Sequence, residues 1–344
     1  MLYSLQALRA FAAWVVVGHH FMQIFFDFHA TGPIGQLLTD RGAVGVDIFF
    51  VISGLVIYLS TRDKAVEPRQ FLLNRALRII PAYWFYTALM ATLLLAFSQW
   101  MPHQEFDWHH LLLSLLFIPA ENPGGYGLYP TLNVGWTLNF EMFFYLLFGL
   151  AFLVRHRQLQ LLMTAALLLA SEVLGRLGLL SHFYNNGIIY EFLLGIGLGV
   201  IYRRGLIRQG LWIPLALLAV AGYALYHLDA SQRLLHWGLP SAMIVLAFVS
   251  MEPWFKGNQV LKALGDCSYS VYLIHVLVLY AGWFASERLG LNPYLVFALC
   301  VPSIGLMSWF SYQWLERGLY RRMQAWLAAP RGRAPEYALS RVKY

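Results

Sequence analysis

The chain has 344 residues, of which 59% are hydrophobic and only 12% are charged. Apolar runs recur from end to end instead of clustering in one core, which excludes a soluble globular protein and predicts an all-α, polytopic transmembrane bundle. The net charge of +7 does not indicate a nucleic-acid partner, because the lysines and arginines are scattered among short loops and the tail.

Windows of about 20 apolar residues predict ten spans. These lie near 5–27, 43–60, 79–99, 134–154, 159–178, 187–202, 211–227, 234–251, 268–286 and 293–316. If the amino terminus is cytoplasmic, nineteen Lys and Arg residues fall on the inner side and four on the outer side. This asymmetry predicts that both termini are cytoplasmic. We predict a transmembrane domain over 1–320 and a basic cytoplasmic tail over 321–344.

The first predicted span carries two ionisable residues, Arg9 and His20, which are costly in lipid and therefore suggest a function. Eleven residues make about three helical turns, so both side chains share one face with roughly 16 Å of depth between them. We predict that His20 lies in the outer half of the membrane, where a neutral imidazole can act as a general base. The alternative is a histidine that only packs against a neighbouring helix, as we expect for the adjacent His19.

The second predicted span begins near Asp47. Because this helix runs inward, Asp47 falls in the outer half of the membrane, at the depth estimated for His20. A carboxylate beside an imidazole orients the ring and stabilises its protonated form, so Asp47 is a candidate catalytic partner. The alternative is a protonated acid that bonds neighbouring helices together.

Arg75 and Arg78 are spaced i, i+3, so they share one helical face at the predicted cytoplasmic edge of the third span. Together with Arg9 they could form a cluster of three guanidinium groups. Guanidinium groups bind phosphate in a bidentate manner, and coenzyme A is a cytoplasmic ligand rich in phosphate. Two arginines after an inner loop can also be simple topology signals, although Arg9 on the same side favours a binding site.

The longest predicted outer connection runs roughly from 100 to 133. It contains no Lys or Arg but carries several His, Glu and Asp residues and the pair Gly124-Gly125. We interpret it as a lid or a loop that faces the substrate. An ordered cap that binds no ligand is an equal alternative.

Glu141 lies in the fourth predicted span, which also runs inward, and is the second candidate for the carboxylate beside His20. His275 lies in the ninth span, about two turns from the cytoplasmic edge, where it could contact an acyl donor or simply pack. Glu316, at the inner end of the last span, could pair with an arginine of the cluster or form a surface ion pair. Cys267 and Cys300 are predicted at different depths, so we expect neither a disulfide nor a metal site.

Five motifs occur in order along the chain. They are Arg9 and His20 in the first span, Val-Asp-x-Phe-Phe-x-x-Ser-Gly over 46–54, Arg-x-x-Arg-Ile-x-Pro over 75–81, Trp-x-Leu-x-x-Glu-x-x-x-Tyr over 136–145, and Ser-Tyr-x-x-Tyr-Leu-x-His over 268–275. Together they resemble the acyltransferase 3 family of integral membrane O-acyltransferases, which modify bacterial surface polysaccharides and related glycans. The family's closing element often reads Glu-x-Pro, whereas this chain has Glu316-Arg317-Gly318.

The resemblance implies a multi-pass protein of the bacterial inner membrane that acylates a hydroxyl of a cell-surface or lipid-linked glycan. The donor would be acetyl-CoA or another acyl-CoA, used from the cytoplasmic side without a metal. The sites carried over from the motifs are His20, Asp47 and Glu141 for catalysis, and Arg9, Arg75, Arg78, Ser53, Tyr145 and His275 for the acyl-CoA. Membrane lipids, the acyl-CoA and the glycan are the expected partners.

Two other functions are compatible with the same residues. Ionisable groups within a membrane also serve a transporter or flippase of sugars or lipid carriers. A helper subunit that passes acyl groups to another enzyme is a third possibility. Residue order also leaves open whether the acyl group passes directly to the sugar or first rests on a side chain, since imidazole serves either role.

Overall fold

The computed structural model describes residues 2–29, 32–62, 66–98, 101 and 104–328, so most of the predicted tail and His103 of the outer loop lie outside the described residues. The described residues form fifteen α-helices. They are α1 (Tyr3–Phe26), α2 (Pro33–Arg41), α3 (Val44–Thr61), α4 (Pro68–Ala96), α5 (Trp108–Leu115), α6 (Trp136–Ala151), α7 (Arg157–Arg176), α8 (Glu191–Arg203), α9 (Trp212–His227), α10 (Leu239–Ser250), α11 (Glu252–Phe255), α12 (Gln259–Asp266), α13 (Ser268–Leu289), α14 (Pro293–Ser311) and α15 (Tyr320–Ala328).

Short 3-10 turns precede α6 and α8, and two π-helical segments occur in the second half of the chain. The 3-10 turns are Asn133–Gly135, before α6, and His182–Asn185 with Gly187–Tyr190, before α8; the π-helical segments are Leu234–Gly238 and Tyr312–Leu319. Within the described part the chain is therefore built from helices, which confirms the all-α prediction.

Six helical segments are long and apolar enough to cross a membrane. They are Val44–Thr61, Pro68–Ala96, Asn133–Ala151, Arg157–Arg176, Ser268–Leu289 and Pro293–Leu327. Helix α1 has 24 residues but is not among these six, and α8, α9 and α10 are shorter, with 13, 16 and 12 residues. Several helices can thus span a membrane, whereas the number of ten spans and the cytoplasmic location of both termini stay predictions.

Two helix ends differ from the sequence-based boundaries. Helix α4 begins at Pro68, well before the predicted start at 79, because proline suits the first turn of a helix, where the missing N–H is not needed. Arg75 and Arg78 consequently lie inside a continuous helix. At the other end of the chain, glycine and not proline stands two residues after Glu316, and helical structure continues through the π-helical segment into α15.

Helices α3 and α8 pack so closely that glycine is required on both sides. A Cβ atom on Gly54 would lie 2.1 Å from the carbonyl oxygen of Phe192, and one on Gly195 would lie 2.0 Å from that of Val51. Small residues allow two backbones to approach in this way. The contact holds α3, which carries Asp47 and Ser53, in a fixed position against the rest of the bundle.

We expect the substitution Gly195→Ala to destabilise the protein by about 1–3 kcal/mol, because the new methyl group must push α3 and α8 apart. The measurement is the fraction of purified protein that stays monodisperse in detergent after heating. Gly197→Ala on the same helix is the matched control, since a Cβ atom there meets nothing within 4 Å. Equal heat resistance of the two variants would contradict the close-packing argument.

Candidate functional site

The three predicted arginines line one cavity, which we call the arginine cavity. It has an empty volume of about 990 Å³ and lies between α1, α3, α4, α6 and α13. Arg9 enters it from α1, and Arg75 and Arg78 enter it from α4. The fold thus brings Arg9 together with two arginines that follow it by 66 and 69 residues along the chain.

The arginine side chains bond to uncharged oxygens. Arg9 donates to the Gln6 Oε1 atom at 3.3 Å, and Arg75 donates to the Ser60 Oγ atom at 3.2 Å. The Arg75 guanidinium also lies over the ring of Tyr145, 5.6 Å from its centroid. These contacts orient the guanidinium groups without neutralising them, which leaves positive charge at the cavity wall.

A carboxylate balances part of this charge from behind the cavity. Arg9 and Arg78 interact electrostatically with each other and both with Glu316. The Glu316 Oε1 atom also accepts a hydrogen bond from Ser270 at 2.5 Å. Glu316 therefore stands near the cluster, as the interpretation of a supporting acid expects, and it lies in the π-helical segment that follows α14.

Ser53, Glu141 and Tyr145 form a hydrogen-bonded group on the same cavity wall. The Ser53 hydroxyl donates to the Glu141 Oε1 atom at 3.1 Å and lies 3.4 Å from the Tyr145 hydroxyl, which donates to the same carboxylate oxygen. Glu141 therefore faces the arginine cavity and does not orient His20 as expected. The membrane depth predicted for Glu141 is compatible with a position beside His20 or beside the arginine cavity. Depth alone does not determine which neighbouring helix the Glu141 side chain faces.

His20 lines a different cavity, which we call the histidine cavity and which has an empty volume of about 1970 Å³. Its Nδ1 atom lies 3.0 Å from the carbonyl oxygen of Val16 and 3.1 Å from the Nε2 atom of His275. The Nδ1 atom of His275 lies 3.1 Å from the carbonyl oxygen of Val271. His20 therefore bonds to a second imidazole where we expected a carboxylate.

This pattern determines which nitrogen of each ring carries a proton. A carbonyl oxygen only accepts, so the Nδ1 atoms of both His275 and His20 must be the donors. The single Nδ1 proton of His20 is then shared between the carbonyl oxygen of Val16 and the Nε2 atom of His275, and the Nε2 atom of His20 keeps a lone pair. A neutral imidazole in this tautomer has the unprotonated nitrogen that a general base requires.

His275 is completely buried and was expected to contact an acyl donor. Helix α13 presents Ser268, Tyr269 and Tyr272 to the arginine cavity, whereas His275 faces His20. His275 lies about one helical turn beyond Tyr272, and it does not line the arginine cavity. Its contacts make it a positioning residue for His20.

Asp47 pairs with Arg233, which lies between the predicted spans 211–227 and 234–251. Arg233 donates from Nε to Oδ1 and from Nη2 to Oδ2, both at 2.9 Å, and Asp47 is fully buried. The Arg233 guanidinium lies over the rings of Trp136 and Trp237, at 5.7 and 5.4 Å. The buried carboxylate of Asp47 is thus used to hold Arg233, not to orient His20. Only the position of Arg233 just before an apolar segment could have drawn attention to it.

The two cavities lie next to each other. Val46 and Tyr272 line both of them. The Tyr272 hydroxyl donates to the carbonyl oxygen of Val134 at 2.9 Å and lies 2.9 Å from the Thr137 hydroxyl, so its ring is held in place. A single layer of side chains therefore separates the three arginines from the cavity that contains His20.

Residues of the predicted outer loop cover the histidine cavity. Gln104, Tyr126 and Tyr129 line it, and Tyr126 donates to the Gln104 Oε1 atom at 2.5 Å. His110 holds the loop by donating from Nε2 to the carbonyl oxygen of Tyr129 at 3.0 Å. Burial lowers the pKa of His110, which keeps this ring neutral at pH 7. A loop that faces the substrate must line the cavity in which the substrate binds, and residues of this loop line the histidine cavity.

Within the described ranges, no group of three or more His, Cys, Asp or Glu side chains stands close enough together to hold a metal ion. Cys267 and Cys300 are both buried free thiols. The two cavities present guanidinium groups, hydroxyls, imidazole rings and the carboxylates of Glu141 and Asp27.

Comparisons with known proteins agree with the motifs. The acyltransferase 3 model, described as an acyltransferase domain, matches residues 2–312. The exopolysaccharide production protein ExoZ of Rhizobium meliloti (strain 1021) is 34% identical over 310 residues, which cover 87% of this chain and 95% of that protein. The acyltransferase MdmB of Streptomyces mycarofaciens is 26% identical over 314 residues, which cover 81% of this chain and 79% of that protein. No solved structure matches the chain.

Proposed function

Because this chain belongs to the acyltransferase 3 family and is an acyltransferase, we propose that it acylates a hydroxyl of a cell-surface or lipid-linked glycan. The proposed donor is an acyl-CoA, with acetyl-CoA as the first choice, used from the cytoplasmic side of the bacterial inner membrane. The similarity to a protein named for exopolysaccharide production supports a glycan acceptor. The observation that carries the proposal is the adjacency of the arginine cavity and the histidine cavity.

In this proposal the arginine cavity holds the donor. Arg9, Arg75 and Arg78 bind the phosphates of coenzyme A, since guanidinium groups match phosphate oxygens in geometry and charge. The hydroxyls of Ser53 and Tyr145 lie further along the same wall, where they can bond to the amides of the pantetheine arm. The thioester then reaches the layer formed by Val46 and Tyr272, beside the histidine cavity.

The proposed reaction begins when the Nε2 atom of His20 takes the proton of a sugar hydroxyl. The sugar oxygen attacks the thioester carbonyl carbon, the new C–O ester bond forms, and the C–S bond breaks. The proton held by His20 passes to the departing coenzyme A thiolate. His275 assists because its Nε2 atom accepts from His20 and so stabilises the imidazolium that forms. We assign Asp47 to the cavity wall, through Arg233, and Glu141 to the donor side.

The test uses the purified protein in liposomes with acetyl-labelled acetyl-CoA and the surface polysaccharide of the cells that carry the gene. We expect label on the polysaccharide and one free coenzyme A for each acetyl group transferred. A transporter would redistribute unmodified glycan without labelling it. A helper subunit would bind or hydrolyse the donor and leave the glycan unlabelled.

A further inference from the structure

Beside the histidine cavity lies a hollow that the proposed reaction does not use, which we call the side cavity. It has an empty volume of about 900 Å³, within the range of roughly 300–1,000 Å³ typical of ligand pockets. Tyr129, Trp136 and Arg233 line both the side cavity and the histidine cavity. The two spaces therefore adjoin across a wall of two aromatic rings and a guanidinium group.

The shared wall is held rigidly. The bidentate pair with buried Asp47 fixes Arg233, whose guanidinium lies 5.7 Å from the centroid of Trp136. The rings of Trp136 and Tyr129 stand edge to face, with centroids 6.3 Å apart. Because Asp47 balances the charge of Arg233, this wall does not select an anion. It offers aromatic faces and N–H donors to a neutral ligand.

The opposite wall comes from the turn that precedes α8. His182, Asn185 and Asn186 supply polar groups there, and Phe183 stacks on Phe140 with ring centroids 4.2 Å apart. The turn is fixed further by Asn186, whose Oδ1 atom accepts from the backbone N–H of Ile188 at 3.1 Å. This wall therefore exists before any ligand binds.

Asn185 lines the side cavity and also packs against α7. Its buried Oδ1 atom lies against Gly175 of α7, where a Cβ atom would be only 2.2 Å from this oxygen, so the oxygen faces α7 and not the cavity. Aromatic faces combined with amides suit a pyranose ring, which has an apolar face and a rim of hydroxyls.

We propose that the side cavity binds a neutral sugar residue next to the one whose hydroxyl meets His20. The acceptor would then be an oligosaccharide or polysaccharide that spans two adjoining subsites across Trp136, and a single sugar would be a poor substrate. This inference rests on the proposed function, since it places the reacting sugar in the histidine cavity.

The experiment compares acceptors graded by length. Single sugars and fragments of two to four residues, obtained by partial hydrolysis of the cells' surface polysaccharide, are each incubated with labelled acetyl-CoA and the purified protein. We expect kcat/KM to rise at least tenfold, the effect of about 1.4 kcal/mol of added binding, from one residue to two. The variant His182→Ala, which removes a polar side chain from the cavity wall, should lose about fivefold in kcat/KM on the longer fragments and stay within twofold on single sugars.

His156→Ala is the control, because this exposed histidine before α7 lines neither cavity. It should leave kcat/KM unchanged at every length. Equal labelling of single sugars and longer fragments by the parent protein would overturn the subsite while the proposed function stands. A His182→Ala variant that loses activity equally at all lengths would overturn it as well. If no fragment and no intact polysaccharide is labelled, the proposed function itself fails.

Discussion

Replacing His20 with alanine is expected to lower acyl transfer about 10²- to 10⁴-fold, which is the usual contribution of a general base. The variant lacks the Nε2 lone pair that takes the hydroxyl proton in the proposed reaction. The measurement is the rate of label transfer from acetyl-CoA to glycan at saturating donor. Binding of coenzyme A, followed by its effect on the melting temperature, should persist because the arginine cavity is separate.

His19→Ala is the matched control for His20. His19 is the neighbouring residue, lines the same cavity, and bonds through Nδ1 to the carbonyl oxygen of Leu38 at 2.9 Å. We expect this variant to lose a contact between α1 and α2 and to keep most of its activity. Activity of the His20 variant within tenfold of the parent protein, or a larger loss in the His19 variant, would remove His20 from the mechanism.

Replacing Arg78 with alanine is expected to raise KM for acyl-CoA about 10- to 100-fold and to change kcat much less. Each charge-assisted hydrogen bond contributes about 1.5–3 kcal/mol, and 1.4 kcal/mol corresponds to a factor of ten. The reason is that the phosphates lie far from the reacting carbonyl and contribute to binding in the ground state and the transition state alike. The measurement is initial rates over a range of acetyl-CoA concentrations at fixed acceptor.

Two variants separate phosphate binding from a general effect of positive charge. Arg69→Ala removes the same charge from the first turn of α4, but Arg69 is exposed and does not line the arginine cavity. Its KM for acyl-CoA should match that of the parent protein. Arg78→Lys keeps the charge without the planar fork and should fall between the parent and Arg78→Ala. A similar rise in KM for the Arg69 variant would contradict a specific donor site.

Local periodicity made part of the site predictable. Arg9 and His20 are eleven residues apart on one continuous helix, so their common face follows from 3.6 residues per turn without knowledge of any neighbour. Arg75 and Arg78 share a face of α4 for the same reason. The order of the motifs was sufficient to identify the family, which the comparisons confirm.

The neighbours of each helix face could not be derived in this way. Hydropathy estimates depth along the membrane normal, and by depth alone Asp47, Glu141 and His20 belonged together. Packing directs Asp47 to Arg233, Glu141 to Ser53 and Tyr145, and His20 to His275. The partner of Asp47 lies 186 residues away, and no local pattern links the two.

The sequence by itself therefore determined the helical class, the family and the two chemical groups, guanidinium and imidazole, that face one side of α1. Only the tertiary structure decided that these groups belong to two adjoining cavities and that a second histidine supports the first. The physical reason is that the packing of helices against one another depends on contacts between residues that are distant in the sequence. Gly54 packs against the backbone of Phe192 in this way, and Gly195 packs against the backbone of Val51. Such contacts select one packing among many that share the same hydrophobic pattern.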